Sequence, residues 1–314
     1  MSTRRAPILV MALLATLAAC GGGQGGATGS SGPSKQTIQS VSANGAVMPG
    51  DSTEAMAVAL VATQATVAAS TMTVAMPIHI TCFGGGSVAF TVSGGNPLNW
   101  FNGALDVGER YVLSFDRCQS TADSPPVSGT LTLLVNDPGS ATLSVSTTMA
   151  NLSVVLPLRT VTLNGSSTLT QTVSVSTSNG NTTTTHRWQS NDVQITSRRN
   201  GFDSLFRLTT VDYSRGDTVA VNGMPVGSSY QGGSTLNADL AFFTWFITLA
   251  TVGPVLYDTT GVVVQGSWVI GLPDDRITLT ISQQRVTVQV DLGANDSIDL
   301  SFSFLFQPFF DEAG

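Results

Sequence analysis

Three cysteines, two histidines and a sparse set of carboxylates are the residues with reactivity to offer in this 314-residue chain, and their spacing assigns most of them to structural work. With Cys20 set aside, Cys82 and Cys118 form an even pair. Neither has Cys-x-x-Cys spacing, and Arg117 beside Cys118 is suggestive of a lowered thiol pKa but stands alone, so a redox role has no strong case. In an exported chain they are expected to form a disulfide, closing a loop worth about 3.8 kcal/mol by chain entropy. His79 precedes Cys82 in a strand-like run and His186 lies in a Thr-rich one; only convergence with carboxylates would make them metal ligands. There is no His-Glu-x-x-His and no Gly-x-Ser-x-Gly, and the single lysine, Lys35, lies outside the body, which removes a Ser-Lys dyad. No catalytic residue, metal or cofactor is expected.

The carboxylates sort the same way. Asp274 and Asp275 sit in Leu272-Pro-Asp-Asp-Arg276, a turn by composition. Asp291, Asn295, Asp296 and Asp299 surround Gly293 with oxygen ligands of the kind Ca²⁺ takes, but the spacing departs from the EF-hand and a plain turn is the better reading. Gly50-Asp51-Ser52 mimics the nucleophile motif of GDS-type lipases without the Asp-x-x-His that chemistry needs. Asp51-Ser-Thr-Glu54 instead has the spacing of a capping box, with Asp51 as N-cap. Eight of the 14 phenylalanines fall between Phe242 and Phe310, and Ala241 to Leu249 is a nearly unbroken apolar run, too short for a membrane helix. An ordinary core strand accounts for it. The competing reading makes Phe242, Phe243, Trp245, Phe246, Trp268, Phe302, Phe304 and Phe306 the wall of an apolar-ligand groove.

The elements that must carry these residues follow from composition and period. Serine and threonine supply 35 and 40 residues, charged residues only 11%, and Glu and Lys occur three times and once. That excludes a disordered chain and a helical bundle, and an acidic net charge of -7 argues against nucleic acid. An Ala-rich run after Asp51 predicts one short helix over 51–75. From Met76 onward the period is two, in short runs separated by Asn, Asp, Gly and Pro. Asn179-Gly180 predicts a hairpin with a type I′ turn. Ile277, Leu279 and Ile281, then Val286, Val288 and Val290, then Ile298 to Phe306 alternate most clearly. The expected fold is all-β over 76–314, a large antiparallel meander forming a curved sheet, a sandwich or a partly open barrel. Val127-Ser-Gly129-Thr, Leu163-Asn-Gly165-Ser and Val264-Gln-Gly266-Ser echo one another without making a strict repeat. Four tyrosines are too few for the aromatic girdles of an outer-membrane barrel.

The N-terminus reads as an address. Arg4 and Arg5 precede an apolar run from Ala6 to Ala18 and the small residues of Leu17-Ala18-Ala19-Cys20. This resembles a bacterial lipoprotein signal over 1–19 with its lipobox. The resemblance implies cleavage before Cys20 and its acylation, which anchors the chain in a membrane by its acyl chains. Gly21 in place of Asp implies transfer to the outer membrane, with the body facing the periplasm. Residues 20–50 would be the lipidated cysteine and a flexible tether. Loss of Arg4 and Arg5 leaves 11 basic against 20 acidic residues, a net charge of -9. The body also resembles uncharacterised β-rich proteobacterial lipoproteins, through Cys82-Phe-Gly-Gly-Gly86, Tyr111-Val-Leu-Ser-Phe115 running into Cys118, Ser128-Gly129-Thr-Leu131, and Gly266-Ser-Trp268 followed by Asp291 to Asp299. That likeness implies a fold class and a location. The function expected is a structural or interaction role without catalysis, with an envelope protein or lipid as partner; the alternative is a carrier of a lipid or other apolar ligand.

Overall fold

The computed structural model describes residues 35–70, 78–139, 141–240, 243–259, 263–282, 285–306 and 309. Its long helix, α1, spans Lys35–Ala69. Fifteen strands follow: β1 Ile78–Thr81, β2 Gly85–Gly94, β3 Glu109–Gln119, β4 Val127–Pro138, β5 Thr142–Val155, β6 Thr160–Val175, β7 Thr182–Arg199, β8 Phe202–Val219, β9 Pro225–Leu240, β10 Phe243–Thr251, β11 Val255–Tyr257, β12 Val263–Gly271, β13 Asp275–Ser282, β14 Arg285–Leu292 and β15 Leu300–Leu305. All belong to one antiparallel sheet in sequence order, with β10 and β11 sharing the position between β9 and β12. The path runs from β1 to β15, which are its two edges among the described residues. The all-β meander is therefore as expected, and it is one curved sheet.

Its concave face closes on α1. Six successive helix residues, Val41 to Ala46, are buried. At 100° per residue they cover every side of the helix, so sheet must surround it there. The wall turns one apolar parity inward, including Phe90, Leu113, Leu133, Val145, Leu163, Trp188, Leu208 and Leu279, all at 1% exposure or less. Serine and threonine dominate the opposite parity, as in Ser144, Ser146 and Thr148 of β5. Alternation with one wet face is what a single antiparallel layer around a core requires.

Two expectations need correction here. The helix begins at Lys35, so 35–50 is helical and largely buried where a flexible tether was expected, and it passes through Pro49. Asp51 is consequently an interior helix residue and no N-cap. Residues 71–75, assigned to the helix from sequence, lie outside the described residues, and α1 ends at Ala69. The physical reason is tertiary: Gly45, Pro49 and Gly50 are poor helix formers, but the surrounding wall supplies burial that propensity does not. Gly45 also lets the wall approach, since a Cβ there would lie 3.2 Å from Ile247 Cδ1 and 3.3 Å from Ile270 Cδ1.

The sheet curls by a diagonal line of β-bulges. Ladder register slips beside Arg117 in β3, Asn151 in β5 and Thr210 in β8, which adopt φ of 48°, 50° and 53°. Facing strands place glycines at the crease. At Gly129 (φ 95°) a Cβ would fall 2.0 Å from the Asn151 carbonyl oxygen, and at Gly165 (φ 132°) one would fall 2.8 Å from that of Asp192. The bulges' displaced N–H groups find side chains: Arg117 N donates to Ser128 Oγ at 3.1 Å and Asn151 N to Asn164 Oδ1 at 2.7 Å. Two of the echoed Gly motifs are thus crease positions that bend the sheet around the helix.

Disulfide and hairpin details complete the frame. Cys82 and Cys118 are bonded, with Cα atoms 5.4 Å apart, which pins the turn after β1 to the end of β3. The Asn179-Gly180 hairpin exists, but its loop is longer than a two-residue type I′ turn: Ser176 N donates to Asn181 O, and only Gly180 takes positive φ.

Candidate functional site

The interior of the sheet changes character in steps along β5 to β9, and the steps can be read from the ladder. One inward row joins Val145, Leu169, Trp188 and Tyr213, all sealed from solvent. Two residues along each strand, the next inward row joins Leu143, Gln171, His186, Arg215 and Tyr230, ending on Val255 of β11. Two further along come Val173, Thr184, Asp217, Ser228 and Tyr257, which are partly open. An apolar floor therefore gives way to a polar belt and then to a half-exposed rim.

Helix α1 lies across this belt. Gly50 sits over Tyr230 and Tyr213, where a Cβ would have ring carbons at 3.7 and 3.9 Å. Glu54 accepts an ion pair from Arg215 Nη1 at 2.8 Å and the Tyr230 hydroxyl proton at 3.2 Å. Ten residues on, Gln64 Nε2 donates to Gln171 Oε1 at 3.0 Å. Ten helical residues rise about 15 Å, matching the roughly 14 Å from β9 to β6 at one strand spacing each, so the helix crosses the strands here. Arg215 also holds Asp217 at 3.0 Å, and Ser228 Oγ donates to Asp217 at 2.7 Å. A second pair ties the helix to the β5–β6 turn, Arg159 Nε to Asp51 at 3.1 Å, with the Arg159 side chain 2% exposed.

Burial sets the protonation of these groups. Desolvation pushes the Asp51 carboxyl up to about 7, against the pull of Arg159. Burial likewise holds His186 below the usual imidazole range, with Asp217 opposing the shift, and neither ring nitrogen has a hydrogen-bond partner. Tyr213, Tyr230 and Tyr257 are all raised, first by burial. Their rings make one cluster, with centroids 6.5 Å apart for Tyr213 and Tyr230 and 4.8 Å for Tyr230 and Tyr257. The Arg215 guanidinium lies 5.6 Å from the Tyr230 centroid. The arrangement counts three carboxylates against two guanidinium groups around a neutral imidazole. Its chemistry is that of an electrostatic lock on the helix.

The residues singled out from sequence are dispersed. Cys20 and Phe242 lie outside the described residues, and Phe243 and Trp245 are placed only as backbone of β10. Phe246 is 53% exposed, while Trp268 is 1% exposed. Phe302, Phe304 and Phe306 are partly buried against the core at the far edge, with Lys35 Nζ 4.8 Å from the Phe304 ring centroid. The ladder puts Trp268 and Phe302 in one inward row through Leu279 and Val288, with Phe304 inward beside Val286, while Phe246 is on the opposite parity from the buried Ile247 and Leu249. His79 is exposed on β1 and His186 buried on β7. Around the Asp291 to Asp299 loop the carboxylates are engaged: Asp291 takes Arg276 and the amides of Asn295 and Asp296, and Asp299 takes the amide of Leu292. Among the described residues no group of three His, Cys, Asp or Glu is placed to hold a metal.

Arg159, Arg215, Asp217, Tyr230, Gln64 and Gln171 were not marked by sequence reasoning. A usable signal existed in β7 and β8, where His186, Arg215 and Asp217 occupy the same parity as Trp188 and Tyr213, a polar residue at a core position. No protein family, curated protein or solved structure matches the chain.

Proposed function

We propose that this chain is an outer-membrane lipoprotein of the cell envelope, acylated on Cys20, whose β-body performs a structural or interaction role in the periplasm without catalysis. The observation that carries the non-catalytic part is the filled interior. Helix α1 occupies the space a curved sheet would otherwise offer, and the carboxylates where helix meets sheet, Asp51 and Glu54 of α1 and Asp217 of β8, are engaged by Arg159, Arg215, Tyr230 and Ser228. Supporting the address are the Arg4-Arg5 end, the apolar run and Leu17-Ala18-Ala19-Cys20. The chain should incorporate a palmitate analogue during growth and fractionate with outer membranes, and Cys20→Ala should do neither. An unlabelled wild type in the soluble fraction would sink the address.

A carrier for a whole acyl chain is the competing reading, and it needs room inside the sheet that α1 takes up. Brominated fatty acid titrated into the purified chain should leave its tryptophan emission unchanged. Saturable quenching would restore the carrier.

A further inference from the structure

Where α1 ends, the mouth of the sheet holds a cavity of 350 Å³ between the last helical turns, residues 103–105 and the β4–β5 turn. That volume falls in the ~300–1,000 Å³ range of small-molecule pockets. Val67, Leu105, Leu143 and Val173 give it aliphatic walls, and among the described residues no ionisable side chain lines it. Its polar side chains are Gln64 and Gln171, joined by the single hydrogen bond from Gln64 Nε2 to Gln171 Oε1. A carboxamide has two donors on nitrogen and an acceptor oxygen. Two of them joined by one bond leave a carbonyl on Gln64 and an amino group on Gln171, an acceptor beside a donor.

Charge narrows the ligand further. The last turn of α1 carries no basic residue, and the C-terminal end of a helix bears partial negative charge. With no Lys or Arg lining the cavity among the described residues, a carboxylate or phosphate has no opposite charge to meet it. A neutral group that gives one proton and accepts one is met by the two carboxamides.

We propose that this cavity binds a small, neutral aliphatic molecule bearing a secondary amide, its N–H received by Gln64 and its carbonyl by Gln171, with the aliphatic arms against Val67, Leu105, Leu143 and Val173. The site is independent of the Cys20 anchor. The amide can come from a peptide or from an N-acyl compound, which share this chemistry.

Saturation-transfer NMR on the full chain tests it with three probes: N-butylpentanamide, N-acetyl-leucine methylamide, and butyl pentanoate, an ester without the N–H. Both amides should receive saturation, and the ester should bind about tenfold more weakly, the cost of one unmet hydrogen bond. The better of the two amides points to the peptide or the N-acyl source. Gln171→Met should weaken the amides and close their gap over the ester. Ala68→Leu, on the exposed part of the helix beside the cavity, should remove binding of all three while leaving the melting transition in place, and it carries the test if Gln171→Met fails to fold. Equal binding of amide and ester, indifference to Ala68→Leu, or no transfer from any probe up to its solubility limit would each overturn the site.

Discussion

On the outer face of the sheet Arg187 grips Asp212 through two bonds of 2.7 and 2.5 Å, with both side chains about half exposed. Inside it, Arg159 meets Asp51 by one contact of 3.1 Å with almost no exposure of the guanidinium. The outer pair has the better geometry and the inner pair the greater consequence. Water and salt stand in for either partner outside, so a surface pair is worth little. Inside, Asp51 is desolvated and Arg159 is its largest opposing charge, so removing the guanidinium leaves that carboxylate poorly compensated. Bond geometry alone therefore ranks these pairs in the wrong order, and burial corrects it.

The widest break in the comparison is Arg159→Met. At pH 8 it should cost up to about 3 kcal/mol in urea unfolding, because the desolvated Asp51 carboxylate loses its largest opposing charge. The effect should shrink at pH 5.5. Asp51 has a folded pKa of about 7, above its ordinary 3.8, so its contribution favours the folded state most below pH 3.8 and is lost as pH rises through 7. Removing Arg159, whose charge lowers that pKa, moves the window upward and leaves Asp51 protonated at pH 5.5. Equal losses at the two pH values would refute the assignment.

A covalent tie gives a scale for the ionic ones. Cys118→Ala frees the turn after β1 and should cost up to about 3.8 kcal/mol, seen as a fall of several degrees in Tm. Alkylation of two thiols in oxidised wild-type protein would show the bridge to be absent.

His186 sharpens the contrast by sign. Its folded pKa lies below the ordinary 6.5, so its contribution to stability is present above pH 6.5 and is lost as pH falls below it. The loss can reach about 1.4 kcal/mol per pH unit. His186→Gln should flatten the stability profile between pH 6.5 and 5 relative to wild type, the reverse of the slope that Asp51 imposes. Parallel profiles would remove His186 from the account.

The smallest effect is expected outside. Arg187→Gln should change stability by no more than about 1 kcal/mol, and added salt should erase the difference. A large, salt-insensitive loss would mean that burial is the wrong criterion.

Much of the scaffold was legible because it is locally encoded. Alternation in Ile277 to Val290 marks which face is buried, since a strand's period of two survives whatever packs against it. Cys82 and Cys118 had only each other once Cys20 was set aside. The mouth was not legible: Gln64 and Gln171 are 107 positions apart, and nothing local distinguishes Gln171 from the other polar residues of β6. The aromatic groove was legible only as enrichment between Phe242 and Phe310, because the ladder that puts Trp268 and Phe302 in one row and Phe246 on the other side is set by strand pairing rather than by position along the chain.

What the sequence by itself determined is the antiparallel meander, its inward parity, most of its hairpins and the staple, all set by short-range alternation, turn chemistry and a pairing without alternatives. Only the tertiary structure decided that residues 35–50 are helix. In isolation Gly45, Pro49 and Gly50 oppose one, at about 1 kcal/mol for each glycine and about 3 for the proline relative to alanine. Enclosure reverses that preference, since a segment inside a sheet must satisfy its own backbone, and the helix is the conformation that does so without a partner strand. The same enclosure turned Asp51 from an expected cap into half of a buried ion pair.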